Sequence, residues 1–266
     1  MKIGFLGCGN MGSAVALTLC KSTDYEVFVY SHGRTAADFA KTHEKAVLCA
    51  SVGELVSVSD IVVIAVKPQV LPSLYDRLKG CNSGSRKWIS LAAGVSLETL
   101  TGRLGTPDVV RFMPNVAAKA GKSVTAIACA PGCDRGFAQT AYGIAKLFGS
   151  AFELEERLFG AFIGTSASAI AYMFQFIHAL GLGGCREGLA YSKAVEMACD
   201  TMLGAVELVK SSGRNAVELE ASVCSAGGTT VEGVRVLEEA GFNGIVMDAV
   251  SAAAQRAVEL ERKFQA

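Results

Sequence analysis

Apolar residues early in the chain come in short runs rich in valine and isoleucine, separated by longer stretches of helical spacing. Lys2–Leu6, Glu26–Tyr30 and Ala46–Ala50 read as strands. Ile61–Val66 (IVVIAV) is apolar at every position, as expected of a central strand covered on both faces. Trp88–Ala92 and Val109–Met113 continue the series, and Ser123–Ala128 adds a candidate edge strand. Helical segments near Gly12–Cys20, Thr35–Thr42, Gly53–Ser57 and Val70–Leu78 lie between them, with Ser51 and Glu54 at capping-box spacing. Such alternation means βαβ units, hence an α/β fold built on a doubly wound parallel sheet.

After about Glu153 the β signal stops. Leu158–Leu180, Ser192–Ser211, Asn215–Val223, Val231–Glu239 and Asn243–Phe264 read as helices, with breaks expected at Gly181–Gly184, Gly213 and Gly227–Gly228. The expected division is residues 1–153 for the sheet domain and 154–266 for an all-helical second domain. That second domain has more apolar faces than one chain readily covers, so burial against another subunit is expected.

Two stretches resemble membrane-directed segments. Met1–Cys20 begins like a short signal peptide, but Gly4, Gly7, Gly9 and Gly12 interrupt it and no A-x-A site follows. Leu158–Cys185 carries no Asp, Glu, Lys or Arg and is long enough to span a bilayer. Its five glycines, Gln175, His178 and the hydroxyls of Thr165, Ser166 and Ser168 favour instead a helix buried in a core or interface. The expected location is the cytoplasm, with no membrane partner.

Composition narrows the function classes. Half the chain is apolar (51%) and 19% is charged, which excludes overall disorder. Twenty-five basic residues balance twenty-five acidic ones, so the electrostatic footprint of a nucleic-acid binder is missing. Nine cysteines, an odd number without C-x-x-C spacing, argue against a disulfide framework or a zinc site and for reduced, mostly buried thiols.

The first chemical signal is Gly7-Cys8-Gly9-Asn10-Met11-Gly12, which follows a strand and opens a helix. That context is the dinucleotide fingerprint of a Rossmann-type domain: Gly7 for the tight turn, Gly9 for close approach of a pyrophosphate, Gly12 for packing of helix on strand. Asn10 and Met11 would then present helix-start N–H groups to the phosphates. NAD-selective sites carry an acid at the end of the second strand. This chain has Ser31, His32 and Arg34 there, which suit the 2′-phosphate of NADPH, with NADH a weaker substitute. Ala65-Val66-Lys67-Pro68 follows the central strand at the carboxyl edge where ligands bind; Lys67 either attracts phosphate or is solvated. Asn115, ending Arg111-Phe112-Met113-Pro114-Asn115, offers an amide near the expected nicotinamide.

A second signal is Cys224-Ser225-Ala226-Gly227-Gly228-Thr229-Thr230, running into a helix. Two glycines and three hydroxyls at a helix start make a pocket for a small anion such as a substrate carboxylate. The same residues equally make an ordinary N-cap through Thr229 or Thr230.

FLGCGNMG, AVKPQ, RFMPN and SAGGTTVEGVRVLEEAGF stand in the order seen in pyrroline-5-carboxylate reductases, and the chain resembles that family along its whole length, including GLGGCREGL and Ala198–Val209. The resemblance implies NADPH-dependent reduction of 1-pyrroline-5-carboxylate to L-proline, the last step of proline biosynthesis. It also implies a helical domain intertwined into a homodimer, often a ring of dimers. By the same resemblance the carboxylate of a cyclic imino acid rests on Gly227, Gly228 and Thr229, and Thr230 bonds the ring nitrogen, with Ser225 and Asn115 lining the pocket. The family's Ser-Gly-Ser-Gly-Pro-Ala-Tyr is Ser166-Ala167-Ser168-Ala169-Ile170-Ala171-Tyr172 here, and its Ser-Pro-Gly-Gly is Ser225-Ala226-Gly227-Gly228. The added Cβ atoms bear on the substrate range.

Reduction of a cyclic imine asks little of the protein: a hydride delivered to carbon and a nitrogen that is protonated or hydrogen-bonded. With three histidines in the chain, none is needed as the acid, and His178 reads as structural. A β-hydroxyacid dehydrogenase opens with similar glycines, but its G-x-x-G-x-G-x-x-x-K helix has no counterpart lysine in Gly181–Arg186. A nucleotide-sensing regulator that binds NADP without turnover is the alternative from another class, suggested by the altered 166–172 stretch.

Overall fold

The computed structural model describes residues 1–79, 81 and 86–265. Eight strands form one sheet: β1 (Lys2–Leu6), β2 (Glu26–Tyr30), β3 (Ala46–Leu48), β4 (Ile61–Ile64), β5 (Lys87–Ser90), β6 (Val109–Pro114), β7 (Ser123–Cys129) and β8 (Gly149–Glu153). Their order is β3-β2-β1-β4-β5-β6-β7-β8, parallel throughout except for the antiparallel β6–β7 pair. The order reverses between β1 and β4, which opens the switch-point crevice of a doubly wound sheet at their carboxyl ends.

Helices α1 (Asn10–Lys21), α2 (Thr35–Thr42), α3 (Val52–Val58), α4 (Leu71–Lys79), α5 (Leu97–Leu104) and α6 (Arg135–Lys146) flank the sheet. Alternate residues of β4 serve opposite layers. Ile61 and Val63 pack with Phe5, Val15 and Phe112, while Val62 and Ile64 pack with Leu55, Trp88 and Leu100. This is why IVVI carries no polar position. Ser51 accepts from the Glu54 N–H at 3.1 Å and Glu54 accepts from the Ala50 N–H at 2.6 Å, a reciprocal cap opening α3.

The sheet differs from expectation at its far edge. Ser123–Cys129 lies inside the sheet, because a further strand, Gly149–Glu153, pairs with it and forms the edge. Gly149 sits at φ +149, and a Cβ there would collide with the Ser123 backbone, so the pairing requires glycine. Helices α5 and α6 were not expected either. Their starts are marked by Ser96, which accepts from the Thr99 N–H at 3.2 Å, and Asp134, which accepts from the Phe137 N–H at 2.8 Å.

The helical part comprises α7 (Phe159–Phe162), a π turn (Ile163–Ala167), α8 (Ala169–Arg186), α9 (Tyr191–Ser212), α10 (Ala216–Val223), α11 (Thr229–Glu239) and α12 (Phe242–Gln265). The expected break at Gly181–Gly184 does not occur, and α8 runs on to Arg186. A Cβ at Gly181 would come within 2.7 Å of Val195, and one at Gly184 within 2.7 Å of Ala194. These glycines let α8 and α9 approach; the turn comes later, at Gly188 with φ +95. Contacts group the chain into two compact units, Met1–Ser168 with Ala252–Ala266, and Ala169–Ser251.

Within the first unit, Arg111 on β6 is 2% exposed and pairs with Glu156 and with Glu261 of α12, the latter at 3.0 Å. Glu156 also accepts from the Leu97 N–H at 2.7 Å, so one buried cation ties the end of α12 and the start of α5 to the sheet. Among the described residues, Glu156–Arg186 is long and apolar enough to cross a membrane by length and composition, yet only 11% of its 18-residue apolar window is buried within the chain.

Candidate dinucleotide and substrate sites

The β1–α1 turn is shaped by three glycines with different tasks. Gly7 is at φ +102, and a Cβ there would stand 2.7 Å from the Ala65 carbonyl. A Cβ at Gly12 would collide with the Gly7 carbonyl and lie 2.8 Å from the Ala65 Cβ. A Cβ at Gly9 would meet nothing within 4 Å. Gly7 and Gly12 therefore let α1 and the post-β4 loop close on each other, while Gly9 leaves the mouth of the turn open. Gly9 is the N-cap of α1 and no side chain caps this helix, so the N–H groups of Asn10 and Met11 have no acceptor within it. An open backbone cradle at a positive helix end fits a pyrophosphate. Burial pushes the thiol of Cys8 up to about 12, helped by Cys20, so it stays neutral beside that cradle.

At the end of β2, Ser31 is committed to local structure. Its hydroxyl accepts from the Ala36 N–H and from Thr35, both at 2.9 Å, and donates to the Gly33 carbonyl at 3.0 Å. This hydroxyl starts α2, while His32 and Arg34 stay exposed beside it. Beyond β4, the Ala65 N–H donates to Leu6 at 2.8 Å and brings Ala65 against the glycine turn. Val66 is half-buried, Lys67 is exposed, and Pro68 opens a short 3₁₀ turn.

Asn115 is 4% exposed, and its side chain is heavily used. Oδ1 accepts from the N–H groups of Ala117 at 3.2 Å and Val124 at 3.3 Å, while Nδ2 donates to Ser166 at 3.3 Å. Ser166 belongs to the π turn, where the Ser168 N–H reaches back to Ile163 at 2.8 Å. The motif pointed to Asn115; the bond to Ser166 was not legible, because a π turn leaves no periodic signature.

The second turn lies in the other unit. Gly227 is at φ +65, and the Gly228 N–H donates to the Ser225 carbonyl at 3.0 Å. A Cβ at Gly228 would collide with the Ser225 hydroxyl, so these two residues interlock. The N-cap of α11 is Gly228, with no side-chain bond, which rules out Thr229 or Thr230 as the cap. Thr229 and Thr230 occupy the first two helical positions and are exposed. His178 is bonded through Nδ1 to the Tyr191 hydroxyl at 2.8 Å, in keeping with a structural role.

A doubly wound sheet with this glycine turn, followed by helices, places the chain among dinucleotide-dependent oxidoreductases. A family model described as pyrroline-5-carboxylate reductase dimerisation matches residues 156–260, and one described as NADP oxidoreductase, coenzyme F420-dependent, matches residues 2–94. Pyrroline-5-carboxylate reductase of Aquifex aeolicus is 35% identical over 98% of this chain and 97% of its own length. That of Methanosarcina acetivorans is 36% identical over 98% of each. Among solved structures, Plasmodium falciparum pyrroline carboxylate reductase with NADP bound is similar at a TM-score of 0.87, with 26% identity over 98% of both chains. The chain belongs to the pyrroline-5-carboxylate reductase family.

Proposed function

We propose that the protein reduces 1-pyrroline-5-carboxylate to L-proline with NADPH, as a cytoplasmic homodimer or a ring of dimers. The reading is carried by kinship to pyrroline-5-carboxylate reductases along essentially the whole chain. In this reading residues 1–153 serve the dinucleotide and 154–266 serve dimerisation and substrate.

When bound, NADPH supplies the hydride. Gly7, Cys8, Gly9, Asn10, Met11 and Gly12 would hold its pyrophosphate on backbone donors. His32, Arg34 and Ser31 would meet the 2′-phosphate, while Ala65, Val66, Lys67, Pro68 and Asn115 would border the nicotinamide. Ser225 and the Gly227-Gly228-Thr229 backbone would fix the substrate carboxylate, and Thr230 would hydrogen-bond the ring nitrogen. A protonated imine arrives from solvent, so the chain's contribution is orientation of the imine carbon and stabilisation of the nitrogen. Asn115, locked by Ala117, Val124 and Ser166, acts as a rigid wall.

The test is oxidation of NADPH, followed at its absorbance, with 1-pyrroline-5-carboxylate as substrate. Turnover with a higher kcat/KM for NADPH than for NADH supports the reading. NADPH binding without turnover would instead identify a nucleotide-sensing regulator.

A further inference from the structure

The described residues of the first unit also enclose a cavity of about 390 Å³ whose lining includes Gln69, Tyr75, Asp76, Thr99, Arg103 and Lys263. Asp76 stands on α4, Arg103 on α5 and Lys263 near the end of α12. One carboxylate and two cations thus line the same cavity. Yet no ion pair joins them to one another or to any other described residue. Tyr75 is only 6% exposed and its hydroxyl has no hydrogen-bond partner among the described residues, while Arg103 covers its ring at 5.7 Å. That hydroxyl is closed off from the cavity surface, so the groups a ligand can reach are the charged and polar side chains of the lining.

We infer that this cavity binds an acidic α-amino acid, a molecule with one ammonium and two carboxylates. The charge count is complementary: Asp76 for the ammonium, Arg103 and Lys263 for the carboxylates, with the Thr99 hydroxyl and Gln69 amide as neutral partners. A phosphate would be repelled by Asp76. A cation would meet two like charges, and an amino acid with one carboxylate would leave one basic residue unanswered. Charge-assisted bonds in a partly enclosed site are the stronger kind, so each of the three charges should matter. The site uses none of the residues of the two glycine turns and stands whether or not the chain reduces pyrroline-5-carboxylate. Pro68, from the loop after β4, is also on its rim, which makes independence from the nucleotide a point to test.

Equilibrium dialysis of labelled L-glutamate against the full chain tests the assignment. Expected are one saturable site per chain, binding at least tenfold weaker in Asp76→Asn and in Arg103→Gln, and at least tenfold weaker for L-glutamine. Near-normal NADPH oxidation by both variants would report intact folding, and a circular dichroism melt serves the same purpose if the reduction itself is not observed. Absence of saturable binding, or binding unchanged in both variants, overturns the inference. So does stoichiometric displacement of glutamate by NADPH, which would make the cavity part of the nucleotide cleft.

Discussion

Alanine at Gly9 and at Gly12 should separate two jobs of one turn. At Gly9 the new methyl enters open space and φ is −75, so the fold should lose under about 1 kcal/mol. Because the same methyl stands where a pyrophosphate would approach, KM for NADPH should rise at least tenfold, about 1.4 kcal/mol in binding. At Gly12 the methyl meets backbone and Ala65, which should destabilise the protein by about 1–3 kcal/mol as overpacking does. Thermal melts and NADPH titrations of the two variants decide it; equal losses of stability would contradict this division. Thr230→Ala belongs to the same scale. Since Gly228 caps α11 without side-chain help, losing the Thr230 hydroxyl should leave stability within about 0.5 kcal/mol. It should lower kcat/KM by about ten- to a thousand-fold, or about 1.4–4 kcal/mol of transition-state stabilisation. Thr229→Ala should cost less. A Thr230→Ala enzyme that melts early and turns over normally would remove Thr230 from the chemistry.

Among the elements, α6 offers a pH test. Asp134 accepts from the Phe137 N–H at its start and stands 3.4 Å from Lys87, and these hold its carboxyl below the usual carboxylate range. A folded value below the unfolded one means the cap contributes fully at neutral pH. That contribution fades as pH falls through the depressed value. Asparagine caps comparably but does not titrate. The Tm difference between the wild type and Asp134→Asn should therefore shrink or reverse on going from about pH 6 to about pH 3. A difference that stays constant with pH would show that the charge of Asp134 does not matter. At the same scale, Gly181 and Gly184 show why one residue type reads two ways. In a turn glycine supplies positive φ, as at Gly188; against a neighbouring helix it supplies the missing Cβ.

For the molecule as a whole, the second unit exposes apolar side chains no lone soluble chain would keep in water. Phe174 is 64% exposed, Leu203 69%, Val217 76% and Met247 68%. They fall within the residues matched by the dimerisation model. Sedimentation velocity at micromolar concentration should show dimers or larger rings and no folded monomer, because obligate interfaces of this kind bury roughly 2,000 Å² or more. A stable monomer would contradict the assembly. Solubility that depended on detergent would point to lipid as the cover for Glu156–Arg186.

Much was already determined by the sequence. Val62–Ile64 must be central because no position tolerates water, and Gly7-Cys8-Gly9-Asn10-Met11-Gly12 must turn between strand and helix, because both signals are local. The Gly227–Thr230 turn was equally visible as an anion-binding or capping element, but the choice between these was not. Only the backbone around Gly228 decided that Thr230 is no cap. The tertiary structure likewise decided what depends on residues far apart in the chain. Gly149 creates an edge strand because Ser123 lies against it, and Arg111 is buried because Glu156 and Glu261 converge on it. Asn115 is rigid because Ser166 stands on a π turn, and Asp76, Arg103 and Lys263 line one cavity from three separate helices. Local pattern reports which face a residue turns inward; what it meets there is set by packing between segments, which no sequence window contains.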